Sequence, residues 1–291
     1  MPASTSGGPS NGRGPLRALI DGARGDRLPI GDRGLQYGDG LFETIALRGG
    51  RPCLWDLHLA RLREGAARLG LPLPDPACLH RECLALGAEL PDGVVKLIVT
   101  RGDGGRGYRP PAMPHPRRIL TLHARPAHPR SWGDDGVAVV LCRTPVGQSP
   151  ALAGLKHLNR LEQVLARAEW DDPQIAEGLM ADADGHLVGG TMSNLFLLRG
   201  RALLTPPLDR AGIAGTVRAA LVRLAPGLGH RVVETRLRRA DLADADGAFL
   251  TNAVIGLWPI RRFDGRDLGH DPLPGALVAA VRRAVADPDW R

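Results

Sequence analysis

Lysine is almost absent from this chain. Of its 38 lysine and arginine residues, only Lys96 and Lys156 are lysines. Arginine can replace lysine wherever a solvated positive charge is enough, but its guanidinium stays protonated and cannot act as a neutral amine. One interpretation is that Lys156 is kept for amine chemistry, above all for a Schiff base with a carbonyl compound. The other is that an arginine-rich composition spared two positions by chance.

Aromatic residues are also scarce, at 4% of the chain with two tyrosines and four phenylalanines. A platform on which nucleic-acid bases stack needs several such rings. The arginines are spread along the sequence, and the longest basic runs are pairs such as Arg117-Arg118. The formal charge of +7 therefore does not indicate a nucleic-acid-binding protein, and attraction of small anionic substrates is a better use of it.

Long apolar runs and cysteine motifs are missing as well. No segment reaches the uninterrupted apolar length of a membrane span, which argues against a membrane protein. The four cysteines form no CxxC pair and have no zinc-site spacing, so we expect free thiols, no metal and a cytoplasmic protein. Residues 1–14 consist largely of Ser, Gly and Pro and predict a disordered tail, not a signal peptide.

Helical and strand patterns alternate along the rest of the chain. At 291 residues it suits two domains with a cleft between them, which we place at residues 15–124 and 131–291 with a Pro-rich linker at 125–130. The first half predicts helices over Leu54–Leu69 and Ala77–Leu90 and a strand over Val94–Thr100. The second predicts a strand over Gly136–Cys142 and an amphipathic helix from Leu158 to Trp170. The fold class is therefore α/β (α+β).

Three segments rich in small residues are candidates for ligand contacts. Arg101–Tyr108, RGDGGRGY, is either a flexible loop or one in which Arg106 clamps a carboxylate. Gly189–Asn194 would let the backbone pass close to a cofactor. Ala211–Arg218 places a Gly-Thr pair at the start of an apolar helix, where free backbone amides bind phosphate well.

Together these motifs resemble the fold-type IV pyridoxal-phosphate enzymes, and among them the aminodeoxychorismate lyases. The resemblance covers about residues 16–260. Its most specific parts are AGLKHLNRLEQVL, at 153–165, and the RGDGGRGY segment, while QYGDGLFET at 36–44 is common to the wider family. It implies a two-domain fold with the active site in the interdomain cleft, and a homodimer in which first-domain loops reach the neighbouring site.

The resemblance also implies a role for each matching residue. Lys156 would hold pyridoxal 5'-phosphate (PLP) through a Schiff base. The other cofactor contacts would be Arg61 on the phosphate, the backbone amides of Thr216 and Val217, Asn252 closing the phosphate cup, and Gly189 next to the pyridine nitrogen. The candidates for binding an anionic substrate are Arg106, Tyr108, Asn159 and Arg160, although the last two are equally typical of residues that cap and solvate the following helix.

The implied reaction is elimination of pyruvate from 4-amino-4-deoxychorismate, which gives 4-aminobenzoate for folate synthesis. Gly189 departs from the family pattern, because the family places a glutamate against the pyridine nitrogen at this position. Either another group substitutes for that carboxylate, or the chain has kept the fold and lost PLP chemistry. Three functions thus remain open: a lyase, an aminotransferase of the same fold, and a PLP-free protein.

Overall fold

The computed structural model describes residues 17–290. The predicted disordered tail, residues 1–14, lies outside this range. Within it there are eight α-helices, which are α1 (Arg33–Tyr37), α2 (Trp55–Leu69), α3 (Pro76–Glu89), α4 (Ser131–Asp134), α5 (Leu161–Arg167), α6 (Thr216–Leu224), α7 (Arg239–Ala243) and α8 (Gly275–Ala286).

The strands of the described region fall into two groups along the chain. The first group is β1 (Arg17–Ile20), β2 (Ala23–Arg24), β3 (Gly40–Arg48), β4 (Arg51–Pro52), β5 (Val94–Thr100) and β6 (Arg117–His123). The second group is β7 (Val137–Leu141), β8 (Ile175–Ala181), β9 (Leu187–Gly190), β10 (Asn194–Arg199), β11 (Ala202–Thr205), β12 (Arg231–Glu234), β13 (Gly247–Asn252), β14 (Gly256–Phe263) and β15 (Arg266–Asp267).

Each group forms its own sheet. The first is antiparallel, with strand order β2-β1-β6-β5-β3-β4. The second has the order β12-β11-β10-β13-β14-β7-β8-β9, with β15 paired to β14. It is mixed, because β12 runs parallel to β11 and β7 runs parallel to both β14 and β8. The predicted α/β, two-domain fold class is thus confirmed, while the exact boundary at 125–130 stays a prediction.

Helix α2 connects the two halves. On one side Leu62 and Ala66 pack with α3 and the buried face of the first sheet. On the other side Leu57 belongs to an apolar cluster that contains Val217 and Leu221 of α6. Because α2 is buried by both halves, the residues in its middle turns are held next to the start of α6. This packing decides where the candidate active site forms.

Most predicted elements are present with shifted ends, but the helix predicted from Leu158 to Trp170 is wrong at its start. The backbone of Phe42 donates to the carbonyl of Lys156 at 2.9 Å, and Leu158 donates to that of Gly40 at 3.1 Å. This pairing keeps the chain extended along β3, so α5 begins only at Leu161. Three residues of its predicted apolar stripe, Leu161, Val164 and Leu165, are 75%, 60% and 59% exposed.

Two further properties concern the helices and the cysteines of the described region. In residues 17–290 no helix has both the length and the apolar character needed to cross a membrane. All four cysteines are free, and burial raises the pKa of Cys53, Cys83 and Cys142 to about 11, about 12 and about 12. These thiols are therefore weak nucleophiles with a structural role.

Candidate active site

Lys156 lies where the second half of the chain pairs with the first. Its backbone extends the first sheet beside β3, and its ammonium nitrogen is 4.2 Å from the centre of the Phe42 ring. The other lysine, Lys96 on β5, has its nitrogen 5.3 Å from the centre of the same ring. The two lysines of the chain therefore converge on one aromatic ring. Lys96 is exposed, as an outward charge on an alternating strand should be.

The amine of Lys156 is tuned toward the neutral form. Part of the side chain remains accessible to solvent, but protein atoms surround its nitrogen. Burial, followed by the positive charge of Arg61, lowers the pKa of Lys156 to about 7, and Glu43 opposes this only in part. A lysine with this pKa supplies both a nucleophile and a base near neutral pH.

The pKa of Lys156 predicts its reactivity in the cofactor-free protein. Since the neutral amine dominates above about pH 7, modification by an amine-reactive reagent should accelerate as pH rises through 7 and then level off. Peptide mass spectrometry at each pH would follow Lys156 separately from Lys96. The expectation is wrong if Lys156 still gains reactivity in step with pH up to pH 10.

Arg61 is fixed by a buried acid. Its Nε donates to Glu43 at 2.8 Å and its Nη2 donates to the second oxygen of the same carboxylate. His58 lies one turn earlier on α2, with Nδ1 2.6 Å from Glu43. Although burial alone raises the pKa of Glu43, the Arg61 charge holds it at about 2, so the carboxylate is ionised. Burial lowers the pKa of His58, although the neighbouring Glu43 opposes the change.

The start of α6 faces Arg61. The guanidinium Nη1 donates to the carbonyl of Ala214 at 2.8 Å, two residues before the helix. No side chain of residues 17–290 caps this helix, and a Cβ on Gly215, the N-cap residue, would clash with Asn194. Thr216 is 3% exposed, and its buried hydroxyl has no hydrogen-bond partner among the described residues. A guanidinium, free helix-terminal amides and an unused hydroxyl are the donor set of a phosphate site.

A buried carboxylate organises the loop after β9. Glu177 is 1% exposed and accepts hydrogen bonds from the hydroxyls of Thr191 and Ser193 at 2.6 and 2.9 Å. The backbone amides of Thr191 and Met192 donate to it at 3.2 Å each. Burial raises the pKa of Glu177 while these donors oppose the change. The sequence interpretation missed this residue, and its only signal was an acid within the otherwise apolar strand β8.

Asn252 lies on the other side of this loop. Its amide nitrogen donates to the carbonyl of Met192 at 3.1 Å, and its oxygen accepts from the amides of Val254 and Ile255 at 2.8 and 2.9 Å. Asn252 thus shapes the 191–193 loop that follows β9. A direct contact of Asn252 with a phosphate stays a prediction.

The candidate substrate residues are arranged around α1. Asn159 donates to the carbonyl of Gly38 at 3.3 Å, and Arg160 bonds both the carbonyl and the ring of His157. Burial and the Arg160 charge lower the pKa of His157 to about 4, so His157 is a weak candidate for acid-base chemistry. Arg106 and Tyr108 lie in the exposed part of loop 102–109, residues 105–109, and Tyr108 is 85% exposed.

Comparison with known proteins places this geometry in a family. A family model described as amino-transferase class IV matches residues 40–263. The chain belongs to this family. It is 35% identical to an aminodeoxychorismate lyase from Vibrio harveyi over 245 residues, which cover 83% of this chain and 89% of that protein.

Two solved structures resemble the chain over nearly its whole length. A crystal structure of 4-amino-4-deoxychorismate lyase from Pseudomonas aeruginosa is 49% identical with a TM-score of 0.88, covering 93% of this chain and 100% of that one. A hypothetical aminotransferase from Mycobacterium tuberculosis, in its PLP-bound form, is 26% identical with a TM-score of 0.80, covering 93% and 99%. The class IV family of fold-type IV enzymes is PLP-dependent.

The residues present fit PLP. Lys156 offers an amine that can react with an aldehyde near neutral pH. Arg61 and the uncapped start of α6 offer donors for a phosphate, and the unpartnered Thr216 hydroxyl is a buried polar atom that needs an acceptor. The pyridine nitrogen is the one part for which the expected residue is absent, because position 189 is glycine.

The backbone at Gly189 itself disfavours a glutamate at this position. Its φ is +157°, a conformation that other residues rarely adopt, and a Cβ there would lie 2.8 Å from the carbonyl oxygen of Ser193. The backbone of this class IV protein is therefore built for glycine at 189. The buried carboxylate of Glu177, on the neighbouring strand, already accepts hydrogen bonds from the 191–193 loop.

Restoring the family glutamate should therefore harm the protein. We expect Gly189→Glu to lower the free energy of unfolding by about 1–3 kcal/mol, the usual cost of a strained backbone, without raising turnover. Gly227→Glu is the matched control, since a Cβ at Gly227 would meet no atom of the described residues within 4 Å. Urea unfolding of both variants measures the difference. Equal stability of the two, with faster turnover for Gly189→Glu, would contradict this account.

Proposed function

We propose that this chain is a PLP-dependent lyase that eliminates pyruvate from 4-amino-4-deoxychorismate and leaves 4-aminobenzoate, a precursor for folate. The observation that carries the proposal is the Lys156 amine, whose pKa is lowered to about 7 by burial and by the nearby charge of Arg61. Arg61 in turn contacts the start of α6. The similarity to lyases from V. harveyi and P. aeruginosa selects this reaction among those of the family.

The protein's own groups account for each requirement of this reaction. Arg61 and the amides of Thr216 and Val217 would hold the phosphate, and Lys156 would hold the cofactor through its amine. When bound, PLP draws electrons from the carbon that carries the substrate nitrogen. The neutral amine of Lys156 removes the proton from that carbon. Breaking the bond from the ring to the enolpyruvyl oxygen then makes the ring aromatic.

Lys156 also accounts for the fate of the proton. After it takes the proton, the Lys156 ammonium lies beside the Phe42 ring, and the positive charge of Arg61 disfavours this charged form. It returns the proton to the departing enolpyruvate, which becomes pyruvate. A base that must both take and release a proton is most effective when its pKa lies near the operating pH.

The direct test is an assay of purified protein, loaded with PLP, for release of 4-aminobenzoate and pyruvate from 4-amino-4-deoxychorismate. The two products should form in equal amounts. An aminotransferase is the second candidate, because the M. tuberculosis relative is described as one. Transfer of the amino group from D- or branched-chain amino acids to 2-oxoglutarate, without release of 4-aminobenzoate, would reject the lyase and support the aminotransferase.

We also propose a cytoplasmic homodimer whose chains each divide into domains at 15–124 and 131–291 with the linker 125–130. Helices α1 and α5 support the dimer, because Leu35, Leu161 and Val164 line one surface groove and are 64%, 75% and 60% exposed. An apolar area of this kind is typical of a protein interface. In such a dimer, Arg106 and Tyr108 would reach the site of the neighbouring protomer.

The dimer predicts the effect of a charge in this groove. Val164→Asp should weaken association by about 2 kcal/mol or more, as expected for a charge buried in an interface centre. Light scattering after size-exclusion chromatography would then show a monomer at concentrations where the unmodified protein is a dimer. The control is Val222→Asp on α6, where valine is 44% exposed. A dimer that persists in Val164→Asp would exclude this surface.

A further inference from the structure

Two of the three guanidinium nitrogens of Arg33 donate hydrogen bonds to one loop. Arg33 lies in α1, is 3% exposed, and its Nη1 and Nη2 donate to the carbonyls of Gly107 and Tyr108 at 3.0 Å each. Its Nε donates to Asp39 at 2.8 Å. All three nitrogens thus have a partner, and two of the three partners are backbone carbonyls of the segment 102–109.

Further contacts join Arg33 to the same segment. The guanidinium carbon lies 4.8 Å from the centre of the Tyr37 ring, and Tyr37 meets the edge of Tyr108 at a centroid distance of 5.6 Å. The backbone amide of Arg33 donates to the carbonyl of Gly102 at 2.9 Å. A Cβ on Gly104 would lie 2.6 Å from Cδ of Arg33. The loop therefore folds tightly around this one side chain.

Apolar burial does not order this loop. Residues 105–109 are exposed, and the segment contains four glycines, which favour many conformations in the absence of specific contacts. A planar guanidinium with fixed donor directions can set the orientation of two successive carbonyls, whereas an ammonium cannot reach both carbonyls and the carboxylate at once.

We propose that Arg33 is a positioning residue that fixes the backbone of loop 102–109 and so aims Arg106 and Tyr108 at the carboxylates of the substrate. The inference rests on the proposed function, in which this loop binds an anionic substrate. Arg33 does not touch the substrate itself, since it is 3% exposed and its guanidinium is enclosed by its partners Asp39, Gly107 and Tyr108.

A second buried arginine, Arg101, binds the same carboxylate and serves as a matched control for Arg33. Arg101 is 5% exposed and its Nε also donates to Asp39 at 2.8 Å. Its other two nitrogens hold the carbonyls of Gly70 and Leu69, at the end of α2. Replacing Arg101 therefore removes a buried pair with Asp39 but leaves the carbonyls of Gly107 and Tyr108 with their donors.

The experiment compares Arg33→Lys with Arg101→Lys in the PLP-loaded protein. We expect hydrogen exchange of the 102–109 amides to become about tenfold faster in Arg33→Lys, as for a segment that loses its fixing contacts, and to stay near the unmodified rate in Arg101→Lys. In the lyase assay KM should rise about tenfold in Arg33→Lys through misplaced substrate contacts. Both kcat and the PLP absorption spectrum should change little.

The outcomes separate this inference from the proposed function. Equal exchange rates and equal KM values for the two variants would overturn the inference, because Arg33 would then act only through general stability. If the unmodified protein releases no 4-aminobenzoate, the proposed function fails, and with it the substrate role of the loop. The exchange rates of the two variants still decide whether Arg33 fixes the loop.

Discussion

Replacing Lys156 with alanine is expected to abolish turnover, with kcat lower by about 10³-fold or more, because covalent cofactor binding and proton transfer are both lost with the amine. The variant should also fail to retain PLP after borohydride reduction and denaturation. Intact-protein mass spectrometry measures this, since the reduced adduct survives unfolding. The unmodified protein should carry one adduct per chain.

The natural control is Lys96→Ala, which removes the other lysine of the chain. Lys96 contacts the same Phe42 ring but is exposed on β5. This variant should keep the reduced adduct at one per chain. An adduct that persists in Lys156→Ala and disappears in Lys96→Ala would move the covalent chemistry to the other lysine and overturn the proposed mechanism.

The second large effect is expected for Glu43→Gln. Glu43 is 1% exposed and is bound by Arg61 and His58. Removing its charge leaves a mostly buried guanidinium without its counter-ion, which costs about 3–5 kcal/mol for pairs of this kind. Denaturant unfolding at neutral pH measures the loss. Affinity for PLP should fall as well, because Arg61 is no longer held toward the start of α6.

Acid unfolding gives a second measurement on the same residue. A carboxylate whose pKa is lowered to about 2 in the folded state contributes stability that is complete above its ordinary pKa of 4.5 and is lost as pH falls toward 2. Stability of the unmodified protein should therefore decrease between pH 4.5 and 2, and that of Glu43→Gln should decrease less. Parallel pH curves for the two proteins would contradict the assignment.

Glu82→Gln controls for the loss of any buried ion pair. Glu82, on α3, accepts from Arg118 Nε at 2.9 and 3.0 Å and is 9% exposed. This variant should lose stability but keep its affinity for PLP, because its partner lies on β6, away from Arg61. Loss of PLP affinity in both variants would show that the effect of Glu43 is general instability.

The fold class and the family could be predicted from the sequence, which also singled out Lys156 as the candidate for covalent chemistry. Helix α2 and strand β5 follow from apolar periodicity, which depends only on local geometry. Lys156 stood out because arginine cannot supply a neutral amine. The match of the Lys156 segment and the Gly-rich loop to one family then assigned roles to residues, such as Arg61, that no local pattern singles out.

The groups that control these residues are brought to them by the fold. Glu43 and Arg61 are 18 positions apart, and Glu177 reaches a loop 14 positions away, so no local spacing reveals either pairing. The extended backbone of Lys156 also came from pairing with β3, which overrode the helical pattern that follows it. Likewise the φ of Gly189 depends on the chain around it. Charges, burial and backbone strain are set by neighbours in space, and a sequence orders neighbours only along the chain.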